Sequence, residues 1–191
     1  MEFRWMTERE IRHWYEAELC EAFAPQERKP LPDIFTLMAQ GRYELWGLFE
    51  RETLLGYAAL WKAPDVPLVL LDYLGVTASR RNGGLGSEIL RRLRAQSRPI
   101  VAESEEEVPG DGEEENDLRR RRIAFYQRNG FVPAYRMATC GMAWQALLSG
   151  ADTMELDEAM TWHRALYGPD RTDVQVPLPP GEAPQMPYWM K

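Results

Sequence analysis

Hydrophobic residues recur along this chain with two spacings, and the spacing separates its strands from its helices. Alternating or continuous apolar runs, typical of strands, occupy residues 1–6, 43–50, 53–61, 68–76, 99–103, 131–138 and 142–148. Apolar residues at intervals of three and four, typical of helices, occupy residues 7–22, 32–40, 89–93, 117–129 and 154–167. Hairpins fill one half of this order and strand–helix crossovers fill the other, so we predict an α/β fold with a mixed sheet.

Local signals mark where several of these elements begin. Thr7 and Glu10 have the spacing of a capping box, so we expect the first helix to begin there. Arg51-Glu52 separates two β-rich runs by two residues, which predicts a hairpin. Asn116-Asp117 is a good N-cap region, and we expect the next-to-last helix to begin there. The acidic segment before it, residues 105–117, is then predicted to be a mobile loop.

The charge of the chain is concentrated in one segment. The 191 residues carry a formal net charge of −7, and residues 103–117 hold nine acidic residues and no basic one. The rest of the chain is therefore close to neutral. Sequence-independent binding to nucleic acid needs a basic footprint, so we expect no nucleic-acid partner. Eleven arginines lie between Arg80 and Arg128, which favours a ligand that is a smaller anion.

Cysteine and histidine content bears on the compartment and on metals. Cys20 and Cys140 lie far apart, and His13 and His163 are the two histidines, so no metal-ligand spacing is present. We expect two unpaired thiols in a reducing compartment. The N-terminus lacks an apolar signal region, and no apolar run approaches the ~18 residues of a membrane span. These features predict a cytoplasmic protein of one domain with no membrane partner.

The stretch after the most apolar run carries the clearest ligand signal. Val76–Ser87, with the sequence VTASRRNGGLGS, leads from a strand end through an arginine-bearing turn into a helix. The glycines of Gly83-Gly84-Leu85-Gly86 lack a Cβ atom, so the backbone can turn tightly and approach a ligand closely. The free N–H groups and the positive dipole end of the new helix make an anion site. Arg80-Arg81 adds positive charge beside it.

Two segments of the chain match the pattern of a known family. Arg81–Gly86 fits R-x-x-G-x-G, with Val76 five residues before the arginine. About forty residues later, Arg121–Phe131 (RRIAFYQRNGF) has a tyrosine followed by a Gly-Phe step into a strand. With the order of the elements and the PIVAESE strand between them, these segments resemble the GCN5-related N-acetyltransferase (GNAT) superfamily. The resemblance implies a mixed, mostly antiparallel sheet of about seven strands, with splayed fourth and fifth strands and flanking helices.

The resemblance also suggests how the chain is divided. Residues 1–148 would form the acetyltransferase domain, and residues 149–168 would form a C-terminal helix packed on it. Residues 169–191 would form a Pro-rich tail without regular structure. The helix and the tail lie beyond the region of resemblance, where they would either cover the cleft or make a homodimer contact.

The co-substrate that the resemblance implies is acetyl-coenzyme A (acetyl-CoA), with no metal. Its pyrophosphate would lie on the backbone amides of the glycine turn, and its pantetheine arm would pair with the backbone of Leu74 and Val76. The acceptor amine would attack the thioester directly, so no protein nucleophile is required. The turn residues assigned to the cofactor are Arg81, Asn82, Gly83, Gly84, Leu85, Gly86 and Ser87.

Three side chains are candidates for the proton transfers. Tyr126 matches the family's tyrosine, which implies that it protonates the leaving thiolate; we expect the neighbouring Phe125 to be the better core residue. Glu103 lies where several family members carry a glutamate, which makes it a candidate base. Asp72 is a carboxylate in an apolar strand, so it is either the structural partner of an arginine or a base at a cavity. Glu105 and a water chain are the remaining alternatives for the base.

The function predicted from these features is an acetyl-CoA-dependent N-acetyltransferase that acts on a small-molecule amine. A protein or peptide amine is the alternative acceptor, and a non-catalytic acyl-CoA-binding module is the alternative class. An enzyme needs an open acceptor site and a donor at Tyr126, whereas a sensor needs only the cofactor half. His163, on the last helix, is expected to be a packed side chain rather than a catalytic one.

Overall fold

Strands and helices follow one another in the order that the apolar spacing predicts. The computed structural model of the protein describes residues 1–23, 28–150, 152 and 154–187. Its strands are β1 (Glu2–Trp5), β2 (Tyr43–Glu50), β3 (Thr53–Trp61), β4 (Val69–Val76), β5 (Ile100–Glu105), β6 (Val132–Thr139) and β7 (Met142–Ser149). Its helices are α1 (Glu8–Trp14), α2 (Cys20–Ala22), α3 (Leu31–Ala39), α4 (Leu85–Arg94), α5 (Glu113–Arg128) and α6 (Leu156–Tyr167).

The seven strands form one sheet in the order β1-β2-β3-β4-β5-β7-β6. Antiparallel pairs join β1 to β2, β2 to β3, β5 to β7 and β6 to β7. β4 and β5 run parallel, as the crossover through α4 requires. The prediction of a mixed, mostly antiparallel sheet is therefore confirmed. The splaying of the fourth and fifth strands stays a prediction, and so does a domain boundary at residue 148.

The chain divides into two compact units, the first of which comprises Met1–Pro64 and Leu71–Ala95. Its first helix begins as the capping box predicts. The Glu10 carboxylate accepts from the backbone N–H of Thr7 at 2.7 Å, and the Glu10 N–H donates back to the Thr7 hydroxyl at 3.4 Å. A π-helical turn, Tyr15–Leu19, continues α1 into α2.

Apolar residues on the helices of the first unit pack against its strands. Trp14 of α1, Ile34 of α3 and Tyr57 of β3 belong to one buried cluster. The indole of Trp14 meets the Tyr57 ring edge-on at 5.4 Å. The predicted hairpin joins β2 to β3 at Arg51-Glu52, where Arg51 takes the left-handed conformation (φ 56°) that a tight two-residue turn requires.

The second unit comprises Asp65–Leu70 and Gln96–Lys191. Its helix α5 begins at Glu113, so the prediction that this helix begins at Asp117 is wrong by one turn. Gly112 is the N-cap, and three consecutive glutamates fill the first turn. Carboxylates are stabilised there by the positive end of the helix dipole. That effect outweighs the N-cap preference of Asn116-Asp117 on which the prediction relied.

Residues 105–112 are tied to α5 by side-chain contacts, in place of the predicted mobile loop. The amide of Asn116 donates to the Val108 carbonyl (3.1 Å) and accepts from the Val108 N–H (2.9 Å). Arg119 forms ion pairs with Glu105 (3.0 Å) and Asp111 (2.7 Å). Arg119 of the helix thus offsets part of the negative charge of the acidic segment.

The segment after α6 has no helix or strand of its own within the described residues, but it docks on β6. Gln175 forms a two-way backbone bridge with Ala138, and Val174 and Leu178 are buried. Asp173 accepts from the backbone N–H of Cys140 at 2.9 Å and pairs with a neighbouring arginine at the same distance. Residues 188–191 of the predicted tail lie outside the described residues, and the homodimer contact stays a prediction.

Two further observations bear on the compartment. In the part of the chain that the structure describes, no helix combines the length and the apolar character needed to cross a membrane. Cys20 and Cys140 are both free thiols. The cytoplasmic location stays a prediction.

Candidate active site

A glycine turn between β4 and α4 leaves backbone N–H groups facing outward. Thr77 anchors the turn, since its N–H (3.0 Å) and its hydroxyl (3.2 Å) both donate to the carbonyl of Leu55 on β3. Gly84 is the N-cap of α4, in the left-handed conformation (φ 74°), and its carbonyl accepts the first helical hydrogen bond, from Glu88. The N–H groups of Leu85–Ser87 belong to the first turn, where a helix provides no partner of its own.

The cofactor-binding residues predicted from the sequence are brought together on this turn. Residues 79–84 are all exposed, and Arg80-Arg81 stands on the same turn. A Cβ atom at Gly84 would meet nothing within 4 Å, so glycine is needed there for its positive φ rather than for space. Asn82 also has a positive φ (65°). The result is an exposed, positively charged turn with outward-facing amides, which suits a phosphate group.

The end of β4 is the second part of the predicted cofactor site. Leu74, Gly75 and Val76 are only half-buried, whereas Leu71 and Tyr73 before them are buried. A Cβ atom on Gly75 would lie 2.3 Å from the hydroxyl of Tyr57, so the glycine lets this ring pack across the strand. Burial is the main cause that raises the pKa of Tyr57 to about 12. The sequence alone does not indicate that Tyr57 lies beside Gly75, because this contact depends on the pairing of β3 with β4.

Asp72 lies in a cluster of side chains around the ammonium group of Lys29. Both of its carboxylate oxygens accept from the Lys29 ammonium at 2.9 Å, and the Tyr43 hydroxyl donates to Oδ2. The ammonium also lies 4.2 Å from the ring centroid of Trp61, a cation–π distance. Burial, with the nearby Asp72 charge, raises the pKa of Tyr43, so its hydroxyl remains a donor. The expected structural partner of Asp72 is present, but it is a lysine rather than an arginine.

A pocket opens beside α1. Its volume is about 610 Å³. Glu18, on the π-helical turn, contributes a carboxylate to it, and partial burial raises the pKa of that carboxyl against the opposing charges of His13 and Arg81. Apolar, acidic and basic side chains line the pocket: Arg4, Arg9, Glu10, His13, Glu18, Phe49, Glu52, Thr53 and Leu54.

Tyr126, the predicted proton donor, is buried near the end of α5. Its ring contacts Phe131 at 5.4 Å and Phe125 at 5.5 Å. Tyr126 is buried and Phe125 only half-buried, so the expectation that Phe125 is the better core residue is wrong. Adjacent helical positions cannot both face the same core, and Phe131 fixes which of the two does. Burial raises the pKa of Tyr126 to about 12.

Glu103 lies in a hydrogen-bonded cluster that strand register creates. Ala146 of β7 is paired with Glu103 on one side and with Tyr135 of β6 on the other, so the three residues form a row across the sheet. His163 of α6 lies above the small alanine and reaches both neighbours. Its Nε2 is 2.8 Å from Glu103 Oε1, and its Nδ1 is 3.0 Å from the Tyr135 hydroxyl. Tyr167, one helical turn later, donates to the same Oε1 at 2.6 Å.

Glu105, the remaining candidate base, is engaged in ion pairs with arginines of α5. Glu105 pairs with Arg119 at 3.0 Å and with Arg122 at 3.6 Å, so its two oxygens are shared between ion pairs. Within residues 1–23, 28–150, 152 and 154–187, no three His, Cys, Asp or Glu side chains are placed to hold a metal ion.

Comparison with known proteins finds similarity to one family of acetyltransferases. A family model described as an acetyltransferase (GNAT) domain matches residues 41–133. Just under half of the chain is therefore similar to GNAT acetyltransferase domains. A Bacillus subtilis protein named as an acetyltransferase, YjbC, is 30% identical over 122 residues, or 64% of this chain. The chain spans 58% of the length of that relative.

Solved GNAT structures share the fold. A GNAT-family protein from Bacteroides thetaiotaomicron is 24% identical, with a TM-score of 0.67 over 88% of this chain and 99% of its own. An aminoglycoside 6′-N-acetyltransferase complexed with coenzyme A is 14% identical, with a TM-score of 0.60 over 78% of this chain and 96% of its own. The GNAT match at 41–133 contains the glycine turn, Glu103 and Tyr126. His163 and Tyr167 lie beyond it, and sequence motifs gave no signal for them.

Proposed function

We propose that this protein transfers the acetyl group of acetyl-CoA to a primary amine of a small molecule. The observation that carries the proposal is the exposed glycine turn at the start of α4. There the amides of Leu85–Ser87 and the guanidinium groups of Arg80-Arg81 fit a pyrophosphate, whose negative charges need donors and cations. The half-buried backbone at Leu74–Val76 suits the pantetheine arm. Bound acetyl-CoA would supply an acetyl thioester that the amine attacks directly.

Glu103 is the carboxylate whose own hydrogen bonds best leave it able to accept the proton of the amine. His163 and Tyr167 both bind its Oε1, which leaves Oε2 available to the amine or to a water. Asp72, the alternative, accepts on both oxygens from Lys29 and Tyr43. A carboxylate engaged in this way would have to break an ion pair before it could act as a base. We therefore assign the base to Glu103 and a structural role to Asp72.

Tyr126 is assigned as the donor to the leaving thiolate. With a pKa of about 12, its hydroxyl keeps its proton throughout the neutral range. Among the described residues, the hydroxyl has no hydrogen-bond partner, so it is free to donate to a bound molecule. A phenol this weakly acidic stabilises the negative charge on the leaving sulfur by donating a hydrogen bond and keeps its own proton.

The pocket beside α1 supports a small-molecule acceptor. Its volume of about 610 Å³ lies within the ~300–1,000 Å³ range of pockets that bind small ligands. Glu18 and Glu52 supply carboxylates that would attract a protonated amine. A panel of primary amines, assayed with acetyl-CoA by the release of free thiol, would identify the acceptor. Activity confined to peptide amines would replace the small-molecule assignment with the protein alternative.

The glycine turn can be tested by a substitution that places a carboxylate on it. At 100-fold excess over Kd, acetyl-CoA should stabilise the native protein by about 2.7 kcal/mol. Gly84→Glu should abolish the resulting rise in Tm, because the new charge repels the pyrophosphate. Gly181→Glu is the matched control, since Gly181 has a similar φ of 82° and equally open space. If the Tm shift survives in the Gly84 variant, the cofactor binds elsewhere.

The assignment of the base can be tested with two carboxylate variants. Glu103→Gln should lower kcat/KM by about 10²–10⁴-fold and flatten the acid limb of its pH profile, with the affinity for acetyl-CoA retained. Asp72→Asn should instead lower the stability by about 1–3 kcal/mol, because the Lys29 ammonium loses its charged partner. Its pH profile should match that of the wild type. If both variants keep the wild-type profile, a water chain rather than either carboxylate removes the proton.

The role of Tyr126 can be tested by removing its hydroxyl alone. Tyr126→Phe should leave the Kd for acetyl-CoA and the Tm nearly unchanged and lower kcat by about 10²-fold, the low end for a positioned acid. Because the pKa of Tyr126 is about 12, the tyrosine is protonated at every assay pH well below that value. The loss should therefore be the same across the neutral range. An unchanged kcat, where chemistry limits the rate, would leave Tyr126 with a packing role.

A further inference from the structure

We propose that His163 is a positioning residue for acetyl transfer, which holds one oxygen of Glu103 so that the other faces the acceptor. The proposal rests on the proposed role of Glu103 as the base. It assigns a function to α6, which lies beyond the residues that the family model matches.

A row of three residues across the sheet places His163 beside Glu103. Glu103, Ala146 and Tyr135 lie side by side on β5, β7 and β6. Paired residues on neighbouring strands point to the same face, with about 5 Å between their Cβ atoms. The small Ala146 lies between the two outer residues of the row, and the fully buried imidazole of His163 hydrogen-bonds to both of them. The histidine therefore reaches both outer residues of the row at once.

The hydrogen bonds of His163 have a defined direction. A carboxylate can only accept, so Nε2 of His163 must carry the hydrogen that lies between it and Oε1 of Glu103. In a neutral imidazole, Nδ1 is then an acceptor, and the Tyr135 hydroxyl donates to it. Burial raises the pKa of Tyr135, so its hydroxyl keeps that hydrogen. Glu103 and Tyr135 therefore favour the same neutral tautomer of His163, with the hydrogen on Nε2.

The two oxygens of Glu103 are used unevenly. His163 and Tyr167 both donate to Oε1, although the side chain is only 14% exposed. Buried or half-buried carboxylates that act structurally in this chain accept on both oxygens, as Asp72 and Asp173 do. A carboxylate held by one oxygen has a fixed orientation and a free basic atom. That arrangement suits a residue that must present Oε2 to a substrate.

The groups that face the cluster come from three elements besides β5. Tyr135 stands on β6 and Tyr167 on α6, beside His163 itself. The Arg171 guanidinium, after α6, lies 5.3 Å from the ring centroid of Tyr167. The same guanidinium forms an ion pair with Asp173 at 2.9 Å.

The kinetic test compares two substitutions at His163. His163→Leu removes both hydrogen bonds and should lower kcat by about 10²-fold, the cost of a misplaced catalytic group. Its KM for acetyl-CoA should not change, and the acid limb of its kcat/KM profile should move. His163→Gln can donate to Glu103 and accept from Tyr135, so it should recover a large part of the lost rate. If the leucine variant fails to fold, Tyr167→Phe replaces it in the test, since Tyr167 is only half-buried. This variant removes the other hydrogen bond to Oε1 of Glu103 and should also lower kcat.

A second measurement does not depend on activity. The chain has only two histidines, so the imidazole nitrogen signals of His163 can be assigned by NMR from the glutamine variant. The expected result is the neutral tautomer with hydrogen on Nε2. A hydrogen on Nδ1 alone would reverse the chain of donors and overturn the proposal.

The outcomes separate this proposal from the assignment of the base. If Glu103→Gln is slow but His163→Leu and Tyr167→Phe keep the wild-type kcat and pH profile, Glu103 remains the base and the positioning role of His163 is overturned. If Glu103→Gln has the wild-type rate, the assignment of the base fails and the positioning role fails with it. A loss in His163→Leu that is uniform in pH and fully explained by a lower Tm would also overturn the proposal, since it would show a structural role.

Discussion

Backbone N–H groups at the beginning of a helix need acceptors from outside the helix. At the start of α4 this requirement leaves amides available to a ligand, and the proposed function depends on them. Gly84 turns the chain through a left-handed conformation that other residues adopt only under strain. The amides of Leu85–Ser87 then face outward beside Arg80-Arg81. Thr77 fixes the base of this turn by its two bonds to Leu55. Local backbone geometry therefore supports the proposed anion site, with no need for a dedicated pocket.

The number of hydrogen-bond donors on each carboxylate oxygen distinguishes Asp72, Glu105 and Glu103 from one another. Asp72 is saturated by Lys29 and Tyr43, and the aromatic rings around the ammonium strengthen that ion pair. Glu105 is shared between arginines of α5. Glu103 differs because its donors converge on one oxygen. The residue types alone do not reveal this difference, since all three are acidic residues on neighbouring stretches of strand.

Much of the fold follows from local sequence, and the remainder depends on contacts between distant residues. The hairpin at Arg51-Glu52 and the capping box at Thr7 agree with the sequence because each depends on a few adjacent residues. The start of α5 was misplaced because two local preferences competed, and the helix dipole outweighed the N-cap propensity. The glycine turn was located for the same local reasons as the hairpin.

The side-chain cluster at Glu103 could not be predicted in this way. It needs the register of β5, β7 and β6, which brings Glu103 near Tyr135 and Ala146, 32 and 43 positions later in the sequence, only after the sheet has formed. His163, which is expected from the sequence to be a packed side chain, is buried as predicted. Both of its ring nitrogens are also hydrogen-bonded, which was not predicted. The lysine partner of Asp72 was missed because the segment before α3 reaches β4 only through tertiary folding.

Direct attack of an amine on the thioester, with no acetylated protein intermediate, is the central claim of this account. Initial-rate kinetics with acetyl-CoA and an accepted amine as varied substrates test it most directly. The account predicts intersecting double-reciprocal lines, because both substrates must be bound together before any product leaves. Parallel lines, together with a protein that gains one acetyl group from acetyl-CoA alone and passes it to the amine, would contradict it.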